Sequence, residues 1–472
     1  MKNMTLSNIA SACNGRLYSD KDCIRKEVSG VVIDSRLVQK DFLFIATKGK
    51  TVDGHSYIDS AFKSGALAVI CEQAPQNPAG PYILVDNSLQ ALKDIAKWYR
   101  SQLNIKVVGI TGSVGKTSTK EFISSVLATK YRVLKTEGNF NNEIGLPLTI
   151  LRLQEHHEIA VLEMGISDFG EMHRLSDIAR PDICVITNIG QCHLENLGSR
   201  EGILKAKSEI FDFLDSNGTI CLNGDDDMLA TIKEVKGIKP IKFGLLKDGP
   251  FAENDVYASN IISKGLFGTS CSIHISENGC EDIINAEIGI PGEHMILNAL
   301  AAATVGRLLN VTPDAIAEGI KAVKPISGRS NIIRTKKWTV LDDCYNANPV
   351  SMKAAIDLLA LANTRKVAIL GDMFELGENE LALHAGVGSY AAKADIDLLI
   401  CIGKLSRSLF EAADKELGQH ATSGKKLAYF ETREEFLDKY ASLINEGDTI
   451  LVKASHGMGF DKIVSILIES GK

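Results

Sequence analysis

The chain has 472 residues, 45% hydrophobic and 24% charged, which is enough for about three domains whose cores need no disulfide staples. Its 52 Lys and Arg against 59 Asp and Glu give a net charge of −7, with the cations interspersed; no basic stripe points to nucleic acid or an anionic membrane. No uncharged apolar run approaches ~20 residues, the polar start does not read as a secretion signal, and no two of the ten cysteines stand at CxxC spacing, so reduced thiols and a cytoplasmic location are expected.

Residues 1–103 read as a small α/β unit. Val31–Ile33, Phe42–Ala46, Ala66–Cys71 and Tyr82–Val85 are expected strands, Ser56–Ser64 and Ser88–Ser101 expected helices, and the proline-rich Ala74–Pro81 a loop. Residues 104–326 carry a clearer rhythm. Lys106–Thr111, Arg132–Thr136, Ile159–Met164 and Ile183–Ile189 read as buried strands of a mostly parallel sheet, with Thr117–Lys130 a helix after the first. Asp255–Ile290 alternates with Gly and Asn breaks, as antiparallel strands do, and His294–Leu309 is an Ala-rich helix. The stretch KPISGRS, Lys324–Ser330, punctuates the chain. Residues 327–472 repeat the α/β pattern, with strands expected at Val340–Asp342, Val367–Leu370, Leu398–Ile402 and Thr449–Lys453. The expected fold class is therefore α/β in three domains. A phosphate-loop domain with a mostly parallel sheet lies between a smaller N-terminal and a Rossmann-like C-terminal domain.

The strongest chemical signal is Gly109-Ile-Thr-Gly-Ser-Val-Gly-Lys-Thr117, between an expected strand and an expected helix. That context suits a phosphate loop. Thr111, Gly112, Ser113, Val114 and Gly115 would curl their N–H groups around phosphate oxygens, and the helix dipole adds positive charge. Lys116 would reach the outer phosphates, and the Thr117 hydroxyl could ligate Mg²⁺. The glycine sits one place early for GxxxxGK[ST], but the shorter TGxxGKT is met in full.

Such a loop needs an acid at a neighbouring strand end to hold Mg²⁺. Glu163 ends the strand Ile159–Leu162 at the carboxyl edge of the sheet, where these folds bind ligands. His193 follows another strand at the same edge, although a lone His is more often a packing or hydrogen-bonding residue. Lys207 lies in an expected helix, Glu201–Leu214. Nothing in the spacing sets it above Lys205, which has Glu201 and Glu209 at i±4.

The stretches TGSVGKTSTKE, TEGNFNNEIGLPLT (136–149), LEMG, TNIGQCHLENLGS (187–199) and AKSEIF resemble the central domain of the Mur ligases, which build the bacterial cell-wall precursor. GEHMILNALAAA (292–303), SGR (327–329), DDCYNANPVSM (342–352) and GDMFELG (371–377) continue the likeness in order. DSR (34–36) and DGHSYIDSAFKSGALAV (53–69) extend it upstream, so that it covers nearly the whole chain. Within the family, GNFNNEIGLP, YNANP and GDMFELG are similar to the member that adds D-alanyl-D-alanine. The DNPR-type stretch of the third-residue-adding member is absent.

The resemblance implies an ATP- and Mg²⁺-dependent ligase, monomeric, joining D-alanyl-D-alanine to UDP-N-acetylmuramoyl-tripeptide through an acyl phosphate. It implies that Lys116 and Thr117 serve the ATP phosphates and the first Mg²⁺, that Glu163 and His193 are metal ligands, and that Lys207 is carbamylated to position a second Mg²⁺. It further implies that Asn298 contacts adenine, Arg329 reaches the γ-phosphate, and Asp343 and Asn346 approach ATP from the last domain. Ser35, Arg36 and His55 would hold the UDP-sugar, and Asn139 and Asn142 would line the substrate side. Met295 stands where relatives often have Asn, and Lys453-Ala-Ser-His456 replaces Lys-Gly-Ser-Arg; His456 would be a pH-sensitive substitute at the dipeptide carboxylate. Competing readings are a third-residue ligase, a folylpolyglutamate synthetase, a phosphate-loop kinase or NTPase without ligation, and an inactive binding protein.

Overall fold

Three separate sheets follow one another along the chain in the computed structural model, which describes residues 1–49, 52–277, 280–418 and 425–472. The first is built from β1 (Arg16–Tyr18), β2 (Gly30–Val32), β3 (Phe42–Ile45), β4 (Ala68–Cys71) and β5 (Tyr82–Leu84). Their order is β1-β5-β4-β3-β2, and only β1 runs antiparallel. The helix expected at Ser56–Ser64 is split into a 3₁₀ turn, Gly54–Tyr57, and a short helix, Ile58–Lys63, because Asp53 caps the tighter turn at the His55 N–H. Helix Ser88–Ser101 forms as expected. The Asn87 side chain accepts from the Gln90 N–H, and Ala91, Leu92, Ile95, Ala96 and Tyr99 form one buried face.

That face joins the first domain to the central one. Tyr99 Oη donates to the Leu153 carbonyl at 2.7 Å, and Lys93–Glu143 and Lys97–Asp177 ion pairs flank it at 3.1 and 2.6 Å. A single apolar core runs without interruption from Met4 through Ile95 and Leu103 to Leu162, Ile186 and Leu229.

The central sheet has nine strands: β6 (Lys106–Thr111), β7 (Val133–Lys135), β8 (Ile159–Glu163), β9 (Ile183–Ile186), β10 (Thr219–Asn223), β11 (Ile241–Gly244), β12 (Val256–Ser263), β13 (Thr269–Glu277) and β14 (Cys280–Ile288). The order is β14-β13-β12-β11-β10-β9-β6-β8-β7, parallel from β7 to β12 and antiparallel beyond. The alternating stretch 255–290 thus extends the parallel sheet as an antiparallel flap.

Two central elements are shorter than their apolar patterns suggest. β9 stops at Ile186 because the next side chains turn to the phosphate loop: Thr187 Oγ1 and Asn188 Nδ2 both donate to the Val114 carbonyl, at 2.6 and 2.9 Å. The helix expected over Glu201–Leu214 ends at Ser208 and continues as a 3₁₀ turn, Glu209–Phe211. The Glu209 carboxylate caps a neighbouring helix, accepting from the Gly170 and His173 N–H groups at 3.1 Å. Lys205 consequently pairs with neither expected glutamate and lies over the Phe169 ring.

The last sheet comprises β15 (Asn331–Arg334), β16 (Thr339–Asp342), β17 (Lys366–Gly371), β18 (Leu398–Ile402), β19 (Lys426–Phe430) and β20 (Thr449–Lys453). The order is β15-β16-β20-β17-β18-β19, and all but β15 are parallel. The carboxyl ends of β16, β20 and β17 meet where the strand order switches, the usual ligand-binding edge of such sheets. Among the described residues, no helix is long and apolar enough to cross a membrane.

Candidate active site

The phosphate loop fills the gap between β6 and helix Lys116–Ala128. Gly112 has φ +149°, and a Cβ there would fall 2.0 Å from Thr187 Oγ1; Gly115 has φ +83° and serves as the helix N-cap. Only glycine meets both demands without strain. The Asn188 side chain clamps the loop, its Oδ1 accepting from the Val114 N–H at 2.9 Å. Lys116 Nζ donates to the Gly112 carbonyl at 2.7 Å, so the lysine already points back over the loop. Burial pushes the Lys116 pKa down, against the opposing pull of the Glu163 carboxylate.

The sequence raises the expectation of a metal at this strand edge, and the orphaned atoms fit one. Thr117 Oγ1 and Glu163 Oε2 are both buried without a hydrogen-bond partner. A buried carboxylate oxygen left bare is costly unless a cation completes it. Glu163 Oε1 is held by Asn141 Nδ2 at 2.8 Å, which fixes the carboxylate and leaves Oε2 as its open donor. Glu163 and His193 line the same cavity. Among the described residues no three His, Cys, Asp or Glu side chains gather as a ligand set.

Lys207 is fully buried, with no hydrogen bond or ion pair on its ammonium among the described residues. Burial lowers its pKa to about 8; Cys192 opposes the shift slightly and Lys116 adds to it. The His193 pKa is lowered by burial against the pull of Glu375, with the Lys207 and Lys116 charges also lowering it. Lys207 is thus electrically in view of both His193 and Lys116.

The cavity, about 640 Å³, lies between the central and last sheets. Its floor is the phosphate loop with Asn141, Asn142 and Glu163; its roof is Arg329, Asp343, Tyr345, Asn346 and Lys453. The Arg329 guanidinium lies 4.0 Å from the Tyr345 ring centroid, and the His456 ring tilts against the same tyrosine at 5.7 Å. Lys453, 2% exposed, donates to Asp343 Oδ2 at 2.6 Å and to the Asn346 carbonyl at 3.0 Å. Asp343 Oδ1 accepts from the Ser330 N–H at 2.9 Å. Asn298 borders the loop: its Oδ1 accepts from Thr119 Oγ1 at 2.8 Å, and its Nδ2 donates to Met295 Sδ at 3.4 Å. Met295 therefore orders Asn298 through a weak sulfur acceptor.

Thr117 and Lys207 are not among the residues that line the cavity, and most of the remaining candidates also stand apart from it. Ser35, Arg36, His55 and Asn139 do not line the cavity. Arg36 is paired with Asp34 at 2.7 Å while staying exposed. Both ring nitrogens of His55 are taken: Nε2 accepts from the Glu72 N–H, just after β4, at 2.9 Å, and Nδ1 faces Asp53 Oδ1 at 2.7 Å. Asn142 lines the cavity, but its Oδ1 is engaged by the Ile144 and Gly145 N–H groups. Sequence reasoning missed Asn141 and Glu375. Both lie in stretches that carry the family likeness, GNFNNEIGLP and GDMFELG, and that location was the available signal.

Fold and site together define the class. The "Mur ligase middle domain" pattern matches residues 110–306, "Mur ligase, glutamate ligase domain" matches 328–456, and "Mur ligase family, catalytic domain" matches 27–100. The chain belongs to the Mur ligase family. It is 38% identical, over 99% of its length and 98% of the relative's, to the UDP-N-acetylmuramoyl-tripeptide–D-alanyl-D-alanine ligase of Bacillus subtilis (strain 168). It is 33% identical to the Escherichia coli (strain K12) enzyme of that name over the full length of both. A crystal structure of MurF from Acinetobacter baumannii superposes with a TM-score of 0.87 at 30% identity, covering 98% of each chain. MurF ligase from Thermotoga maritima in complex with ADP gives 0.78 at 30% identity, covering 93% of this chain and 97% of that one.

Proposed function

We propose that the chain joins D-alanyl-D-alanine to UDP-N-acetylmuramoyl-tripeptide, converting ATP to ADP and phosphate. The observation that carries this reading is the cavity itself, with a phosphate loop on one wall and a last-domain Arg, Asp and Lys cluster on the other. Nucleotide on the central domain and amine on the last then meet within bonding distance. The full-length likeness to relatives that bear this reaction's name supports it.

The tripeptide's terminal carboxylate oxygen attacks the γ-phosphorus of ATP, and ADP departs. The dipeptide amine then attacks the acyl-phosphate carbonyl. The tetrahedral adduct collapses, the C–O bond to phosphate breaks, and the amine gives up its proton. Lys116 and the loop N–H groups hold the β- and γ-phosphates, and Arg329 faces the transferred group from the roof. Thr117 and Glu163 would hold one Mg²⁺, and His193 and Lys207, the latter as a carbamate, would hold a second. Bound Mg²⁺ neutralises charge on the phosphoryl oxygens.

Carbamylation is supported by a buried lysine with no partner and a pKa of about 8, which supplies neutral amine to attack CO₂. The new N–C bond and the lost proton turn a buried cation into an anionic oxygen ligand. Asn298 adjoins the adenine, Asp343 and Asn346 seat Lys453 beside the nucleotide, and the Ser35–Arg36 and His55 loops form the UDP-sugar end. The working division is 1–103 for the UDP-sugar, 104–326 for ATP and 327–472 for the dipeptide.

Phosphate release from ATP and Mg²⁺, followed with the product mass, tests the reaction. Release that needs both the tripeptide and D-alanyl-D-alanine, with pentapeptide formed, is expected. Release indifferent to both would leave only a phosphate-loop NTPase.

A further inference from the structure

Two non-glycine residues with left-handed backbones meet across the seam between the central and last domains. His193 has φ +53° at the start of helix Leu194–Leu197, and Glu375 has φ +62° within Gly371–Gly377. Such backbones carry strain and persist where the surroundings hold them, often for function. His193 Nδ1 lies 2.6 Å from Glu375 Oε2. The N–H direction at Nδ1 misses the carboxylate, so this is a charge contact short of an aligned hydrogen bond.

The segment that presents Glu375 is held firmly. The Met373 N–H donates to His384 Nε2 and the Phe374 N–H to Ser455 Oγ, both at 2.9 Å. His384 in turn uses Nδ1 on the Glu380 carbonyl at 2.7 Å, which fixes its tautomer. Met373 and Leu376 are buried on either side. Next along the chain, Gly377 lies beside Glu195, where a Cβ would stand in van der Waals contact, 3.4 Å from the Glu195 backbone. A loop of the last domain, tied down by these hydrogen bonds, therefore meets a histidine that lines the cavity with Glu163.

The Glu375 side chain is 59% exposed. An ion pair that open contributes little to stability, so stability alone does not account for strain on both partners. Histidines that ligate metals commonly use their second nitrogen on a carboxylate, which sets ring orientation and basicity. We propose that Glu375 is a positioning residue for His193. It engages Nδ1, leaves Nε2 as the ligating atom, and makes the metal affinity of the central domain depend on docking of the last. This rests on the reading of His193 as a metal ligand.

The test is Mn²⁺ titration of the full chain with ADP present, reading free Mn²⁺ by electron paramagnetic resonance, for wild type, Glu375→Ala, Glu375→Gln, His193→Ala and the double alanine variant. Glu375→Ala is expected to weaken Mn²⁺ binding about 10-fold with no change in melting temperature. Glu375→Gln, which keeps the side chain's shape but removes the charge that makes the contact, should lose as much as Glu375→Ala. In the His193→Ala background, Glu375→Ala should add nothing. Wild-type binding in Glu375→Ala alongside weakened binding in His193→Ala would overturn the role of Glu375 alone. Wild-type binding in His193→Ala would remove the metal reading of His193 and this inference with it.

Discussion

Lys453, which lines the cavity in the last domain, and Lys207, buried in the central domain behind the lining residues, are treated in opposite ways. Lys453 of the last domain, 2% exposed, is surrounded by acceptors: the Asp343 carboxylate and the Asn346 carbonyl. Lys207 of the central domain, fully buried, has none among the described residues, and its pKa falls to about 8. Burying a charge is tolerable when it is paired and expensive when it is not. The paired lysine is a fixed cation that orders the roof. The unpaired one carries the cost of an uncompensated ammonium, which the proposed carbamylation would remove.

The largest effect should come from removing the unpaired lysine. Lys207→Met is expected to lower the ligation rate by about 10³-fold, the scale of a lost charge-stabilising group, while the chain stays folded. Phosphate-release kinetics check this, and a loss of under about 10-fold would erase the distinction between the two lysines. In the last domain, Lys453→Met strands the Asp343 carboxylate and should destabilise that domain by about 3–5 kcal/mol. Urea unfolding measures it; a change below about 1 kcal/mol would mean that the pair is not holding the roof.

A pH series sharpens the contrast. The folded pKa of Lys207 lies below its ordinary 10.5, so between about 8 and 10.5 the unfolded chain binds the extra proton. Its destabilising contribution is fully present below pH 8 and is relieved as pH rises to 10.5, by about 3 kcal/mol. In CO₂-free buffer, the gap in unfolding midpoint between wild type and Lys207→Met should close over that window. A gap constant with pH would show that the ammonium is hydrated or paired in solution. The smallest effect is expected away from both lysines. Met295→Leu removes only a weak sulfur acceptor from Asn298, and the KM for ATP should move less than about threefold.

The phosphate loop was readable because everything it needs is contiguous: a strand, two glycines, a lysine and a helix within Lys106–Ala128. The central strands β6 to β9 were readable as apolar runs, whereas β10 and β11 were not expected from the sequence. The ends of the readable elements were hidden, since β9 stops where Thr187 and Asn188 bond to the loop, and the helix after Arg200 ends where Glu209 leaves to cap another. β1 and β15, three and four residues long at sheet edges, carry too few alternating positions to register. The roles of Asn141 and Glu375 depend on partners distant in sequence, Glu163 and His193, and no local pattern encodes such a meeting. The placement of Lys207 over Lys205 came from the family likeness alone. The structure supplies its physical counterpart, since Lys205 lies over an aromatic ring while Lys207 is buried.

The apolar core that continues from Met4 to Leu229 has a consequence for how the chain can be cut. Severing it near residue 103 would leave two fragments, each with a raw hydrophobic face where Ile95, Leu103 and Leu162 had shared one interior, and neither should stay in solution alone. The seam near residue 326 faces an open cavity lined by both polar and apolar side chains, and the last sheet keeps its own apolar interior around Leu341, Ile369 and Leu451. Of the two joints, only this second one is built so that its halves could part and meet again.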